Sequence, residues 1–213
     1  MIIIGAASLS LRAPCERNGR TGAPVTLNRM ALHRPHRLVA ALAALVITLA
    51  GCQQRPPEVA FPVVDTAGLS PVRAAVVDVL AEQYAHQPPG PTYADGLDEP
   101  WCADFVSWVL RAAGAPVTNP NSGSWRIPGV ATLEQAFRQA ERFRPADGGY
   151  RPQVADVVIY DEPSPFGQHT NFVVAVTDGV LTTVGGNEGG IAVHRFTTAD
   201  DPGLRGFGLP ADG

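Results

Sequence analysis

Apolar residues recur every three or four positions between residues 70 and 143, and every second position after residue 154. Val72, Val76, Val79, Leu80 and Tyr84 follow Ser70-Pro71, a capping hydroxyl with a first-turn proline, so a helix is expected to about His86. A second helix is expected over Trp101–Gly114. Asp98, Glu99 and Pro100 stand ahead of it, Gly114 sits where a left-handed cap would close it, and Phe105, Trp108, Val109 and Ala112 form its inward stripe. A third is expected over Thr132–Phe143, with Leu133, Ala136, Phe137 and Ala140 inward. The stretches between them, 87–100 and 115–128, are broken by Pro, Gly, Asn and Ser and read as loops.

Four β-rich runs follow: 154–160, 170–177, 180–184 and 191–196. Asp178-Gly179 and Gly189-Gly190 stand at turns, and Gly206–Leu209 is expected as a last edge strand. Helices first and a strand meander afterwards predict an α+β domain, its N-terminal helices packed on one face of an antiparallel sheet. Residues 70–210, about 140 in all, suffice for a single core. No internal repeat or second domain is visible.

Ahead of the domain the pattern changes. Residues 1–29 have no sustained period and are expected to be an over-extended start, with Met30 as the true first residue. Residues 30–51 have the outline of an export signal. Arg34 and Arg37 precede an apolar run, Leu38–Ala50, that falls short of the ~20 residues a membrane span needs, so cleavage is expected rather than a permanent anchor helix. The end of the run, Leu49-Ala50-Gly51-Cys52, resembles the lipobox of bacterial lipoproteins. That resemblance implies an acylated Cys52 as first mature residue and an exported protein lipid-anchored in the bacterial cell envelope. Residues 52–69 are Pro-rich, with little to bury, and are expected to be a tether.

The leader changes what composition means. From Cys52 onward ten Arg and no Lys face nineteen acidic residues, a net charge of −9, which argues against a nucleic-acid partner and leaves membrane attachment to the lipid. With Cys15 discarded and Cys52 acylated, Cys102 is the lone thiol, and no intramolecular disulfide is expected. A leftover cysteine in an exported chain points to an intermolecular bridge or a reactive thiol.

Cys102 lies in the first turn of the second helix, where free N–H groups and the dipole favour a thiolate. The competing reading is a small core hydrophobe. His169 stands at the mouth of a strand, where an imidazole is reachable and held, and an imidazole is the usual base for a nucleophile at neutral pH; the competing reading is a surface histidine. Asn187, in Val184-Gly185-Gly186-Asn187, is either a turn residue or a group that fixes the His169 ring across a hairpin. Trp101 and Trp125 are candidates for lining a substrate groove, and Trp125 serves equally as a loop pin. His86 and His194 have no metal-ligand spacing, so neither a metal nor a cofactor is expected.

Trp101-Cys102-Ala103-Asp104-Phe105-Val106, Ala155-Asp156-Val157-Val158, the strand His169–Ala175 and Val184-Gly185-Gly186-Asn187 together resemble, in order and spacing, the CHAP family of papain-like cysteine amidohydrolases and peptidases. The resemblance spans most of residues 70–210. It implies a papain-like α+β fold and a peptidoglycan hydrolase that cuts the muramoyl–L-alanine amide or a bond within the stem peptide. It also implies Cys102 as nucleophile, His169 as base and Asn187 as orienting residue. One departure stands out: many members carry Glu two residues before that Asn, where this chain has Gly185. The rival reading is a CHAP-like lipoprotein that binds the wall, or scaffolds other proteins, without cutting.

Overall fold

The structure is a computed structural model that describes residues 59–211; the expected over-extended start 1–29, the export signal, Cys52 and residues 53–58 of the expected tether lie outside the described residues. Three helices, α1 (Pro71–His86), α2 (Cys102–Ala112) and α3 (Val130–Gln139), precede a six-stranded antiparallel sheet. Its strands are β1 (Phe143–Pro145), β2 (Val157–Tyr160), β3 (His169–Thr177), β4 (Val180–Gly185), β5 (Ala192–Thr197) and β6 (Leu204–Gly208), in spatial order β1-β6-β2-β3-β4-β5. The α+β class and the helices-then-strands order agree with the sequence.

The helix ends show where local signals suffice. Ser70 Oγ accepts the backbone N–H of Arg73, and Pro71 fills the first turn of α1. α2 closes as expected: Gly114 is left-handed, and Gly114 and Ala115 donate to the Arg111 and Leu110 carbonyls. α3 ends earlier than expected. It stops at Gln139, and the same two-bond cap forms around Glu141 (φ 59°), with Glu141 donating to Arg138 and Arg142 to Phe137. A non-glycine residue in that conformation hides the stop, and Phe143 opens β1 instead of continuing the helix.

β6 is not an edge strand. It lies between β1 and β2, pairing with both, and β1 forms the edge. Gly208 packs against the Phe137 ring so closely that a Cβ there would overlap it, which lets α3 lie directly over β6. The β3–β4 hairpin turns on Asp178-Gly179, both with positive φ as a two-residue hairpin turn requires.

Strand alternation divides the core. Val157, Ile159, Phe172, Val174 and Val184 face the helices, whereas Val158, Tyr160, Val173, Leu181 and Phe207 form a smaller cluster on the opposite face. α2 lies on β3 and β4 and is buried nearly all round, more than its apolar stripe implied. Its polar positions are covered by the 113–129 connection: Ser107 Oγ accepts from Ile127 N–H, and Asp104 pairs with Arg126. Ala112 and Ala140, expected inside, are exposed.

Residues 59–69 do not hang free as a tether. Phe61 and Val64 pack on the main core, the Phe61 ring lies 5.6 Å from Tyr84, and the Tyr84 hydroxyl donates to the Val59 carbonyl. Phe61 and Val64 are half-buried there, whereas Val59 and Val63 stay exposed. Among the described residues no helix is long and apolar enough to cross a membrane.

Candidate active site

Two elements bring a thiol and an imidazole together. Cys102 is the first residue of α2, where backbone N–H groups lack intrahelical acceptors, and His169 is the first residue of β3, on which α2 packs. Both are nearly enclosed, at 6% and 7% exposure, and Cys102 is a free thiol. The imidazole has Cys102 as an interacting neighbour and is hydrogen-bonded through Nε2 with Glu188 Oε1 at 2.6 Å. Burial opposes a charge on the ring. The interactions with Cys102 and Glu188 outweigh it and raise the His169 pKa from 6.5 to about 9.

The group that holds the ring is therefore Glu188, and Asn187 is not. Asn187 is exposed in a left-handed conformation (φ 66°) and serves as a turn residue. The turn directs the next side chain, only 8% exposed, back over the sheet. Glu188 Oε2 approaches His194 Nε2 at 2.9 Å, close in distance but out of hydrogen-bond alignment, so this contact is an ion pair. Burial disfavours the Glu188 charge, yet the His169 and His194 contacts hold its carboxyl below the usual range. His194 is raised in turn, first by Glu188, with partial burial opposing.

Sequence reasoning passed over Glu188 because it follows the turn and has no place in a strand alternation. Its signal is the pair of glycines before it. A Cβ at Gly185 would overlap Glu188 Oε1 and stand 2.7 Å from Asn171 Cβ, and a Cβ at Gly186 would overlap the Trp101 ring.

Trp101 is part of the site's frame. It stacks on Tyr93 (centroids 5.3 Å apart, planes at 14°), meets Phe105 edge-on, and fills the spaces beside Gly90 and Gly186. Trp125 is not brought to the thiol. Arg111 lies over its ring at 4.5 Å, nine residues along α2 from Cys102, a rise of roughly 13 Å. Gln168, next to His169, is exposed and lines a groove between α3 and the ends of β2 and β3, where Tyr160, Glu134 and Arg205 also stand.

Asp104 and Asp156, both in the family-like motifs, serve the scaffold. Asp156 is fully buried and bound by Arg73 of α1 at 2.9 Å, the Tyr150 hydroxyl and Gln153 N–H. Asp104, also fully buried, has Arg126 at 2.8 Å; burial raises its pKa to about 6, with Arg126 opposing. Among the described residues no group of three His, Cys, Asp or Glu side chains has the geometry to hold a metal.

The CHAP domain model matches residues 93–187, the segment that runs from Tyr93 through Cys102 and His169 to Asn187. No curated protein matches the chain. A solved structure, "The crystal structure of Ly7917", is similar at 15% identity with a TM-score of 0.42, covering 66% of this chain; the chain spans 63% of that protein's length.

Proposed function

Taking as premise that residues 93–187 are a CHAP domain, we propose that this protein is a cysteine hydrolase that cleaves amide bonds in peptidoglycan, either the muramoyl–L-alanine amide or a bond of the stem peptide. The observation that carries the reading is the buried, interacting pair of Cys102, at a helix start, and His169, at a strand mouth, with Glu188 on the ring's far nitrogen. At neutral pH His169 is held as imidazolium, and in this reading the reaction proceeds from its pairing with the Cys102 sulfur as thiolate. Glu188 occupies Nε2 of His169, which leaves Nδ1 to exchange a proton with the sulfur side.

The Cys102 sulfur attacks the amide carbon, and the carbonyl π electrons move to oxygen. That oxygen is met by free N–H groups of the first turn of α2, the Cys102 N–H foremost. As the carbon–nitrogen bond breaks, imidazolium gives its proton to the leaving amine, and a thioester and neutral imidazole remain. His169 next takes a proton from water as its oxygen attacks the thioester. The carbon–sulfur bond breaks, a carboxylic acid leaves, and the thiolate and imidazolium return. In this reading the lipid on Cys52 holds the exported domain at the membrane, and residues 59–69, lying along α1, lead into it.

Incubation of wild-type and Cys102→Ala protein with purified sacculi tests the reading. The expected result is soluble fragments from wild type alone, whose new ends identify the bond. Wall binding without release in both forms refutes hydrolysis and leaves a binding module. Transfer of a Cys52→Ser protein from the membrane to the soluble fraction checks the lipid.

A further inference from the structure

On the face of the sheet away from the helices, His169 and Asn171 of β3, Thr183 and Gly185 of β4, and His194 of β5 share one side, with Tyr160 of β2 beside them. Asn171 and Thr183 are fully buried, and the Tyr160 hydroxyl donates to Asn171 Oδ1 at 3.1 Å, so this floor is polar. At the end of β4 an ordinary side chain at position 185 would project between His169 and His194. Gly185 projects nothing, and the carboxylate of Glu188, three residues on, folds back into that space: Oε1 at His169, Oε2 at His194. His169 on β3 and His194 on β5 are the charged or titratable groups that contact this carboxylate. Tyr160, on β2, lies behind Asn171, and its pKa is raised well above the usual phenol range, chiefly by burial.

We infer that Glu188 is the positioning acid of the Cys102–His169 pair, that it reaches the ring only because residue 185 is glycine, and that His194 steadies its far oxygen. The inference rests on the hydrolytic reading for its purpose. It does not rest on it for its evidence, because Glu188 acts through the ring and a change there is readable without any substrate. A carboxylate against Nε2 fixes the ring orientation and favours imidazolium, which in turn favours the thiolate. The acid is supplied from beyond the turn, and the two glycines and Asn187 shape the backbone that lets it return.

The test uses the full chain carrying Glu188→Gln, His194→Gln, Asn187→Ala, Gly185→Ala and the double Gly185→Ala/Glu188→Gln. Each is followed by the rate of Cys102 alkylation with iodoacetamide from pH 5 to 10 and by NMR titration of the His169 ring. Glu188→Gln, which keeps shape and removes charge, is expected to slow alkylation at pH 6 about tenfold and to move the His169 titration down by about one unit. His194→Gln gives a smaller shift in the same direction. Gly185→Ala reproduces the Glu188→Gln phenotype, and the double variant is no worse than either single one, because both act by taking the carboxylate from the ring. Circular dichroism on Glu188→Gln and His194→Gln separates these effects from loss of fold. The inference is overturned if Glu188→Gln leaves the ring titration and low-pH alkylation within about twofold of wild type, if the Gly185 and Glu188 effects multiply, or if Asn187→Ala moves the ring more than Glu188→Gln does. A wild-type protein that shows this coupling but releases nothing from sacculi sinks the hydrolase reading and leaves Glu188 in its place.

Discussion

Gly186 and Trp101 touch: the six-membered edge of the indole lies against the glycine, in the space its missing Cβ would take, with Phe105 Cβ on the other side. Trp101 immediately precedes the nucleophile candidate, so the loop after β4 seats both partners, Glu188 through Gly185 and the start of α2 through Gly186. Gly186→Ala is expected to cost about 1–3 kcal/mol, the usual range for overpacking a filled core, and to lower the reactivity of Cys102. Denaturant unfolding together with thiol alkylation at pH 7 measures both. A variant equal to wild type in the two would mean that the indole has room to move.

The pH dependence of stability follows from His169. Its folded pKa, about 9, lies above its unfolded value of 6.5, so its contribution is complete below pH 6.5 and disappears as pH rises through 9. With the ring nearly enclosed, the loss is on the order of 1–3 kcal/mol, or several degrees in Tm for a domain of this size. Cys102→Ala removes the first of the two attractions that outweigh burial. Its ring should titrate lower, and its Tm should fall less between pH 7 and 10. Parallel Tm curves for the two proteins would show that the thiol does not hold the charge.

Much of this architecture is written locally. Ser70-Pro71 and Gly114 mark real helix ends, and the alternation in β3 separates Phe172 and Val174, which face the helices, from His169, Asn171 and Val173. Features that depend on distant partners are not written there. Glu141 caps α3 without glycine, β6 inserts between strands far earlier in the chain, and the polar face of α2 is buried because a loop some twenty residues later brings Arg126 and Ile127 to it. Cys102 and His169 were legible because a helix start and a strand mouth are local places. The acid was not, since strand periodicity stops at Gly185 and says nothing of a side chain that folds back after a turn.

Arg73 of α1 reaches the loop before β2 and ties the first helix to the sheet. Its guanidinium pairs with Asp156 and donates to the Val154 carbonyl, in a place where the two charged side chains are 7% and 0% exposed. Removing one member of such a pair leaves the other charge buried, typically at a cost of 3–5 kcal/mol. Arg73→Met should therefore destabilise the domain by about that much, while Arg73→Met with Asp156→Leu recovers part of it. Urea unfolding of the single and double variants decides this. If the double variant is no more stable than the single, Asp156 is not what makes the loss large.

Arg126 makes a steeper prediction, because its partner is already poorly disposed to ionise. Asp104 sits fully buried in the first turn of α2, and its pKa of about 6 reflects burial, opposed by Arg126 and reinforced by the neighbouring Glu99, which Arg126 also binds. A carboxyl whose folded pKa exceeds its unfolded value of 3.8 destabilises the fold progressively as pH rises from 3.8 through 6, and by a constant amount above. Arg126→Ala removes the one group that favours the charge, so the Asp104 pKa rises further and the destabilising window widens towards neutral pH. The variant is expected to lose about 3–5 kcal/mol at pH 8 but much less at pH 4.5, where Asp104 can stay protonated at little cost. Arg126→Ala/Asp104→Asn should lose that pH dependence. Unfolding free energies at the two pH values measure the difference, and an Arg126→Ala deficit that is the same at both would place the cost in the loop itself rather than in the carboxyl beneath it.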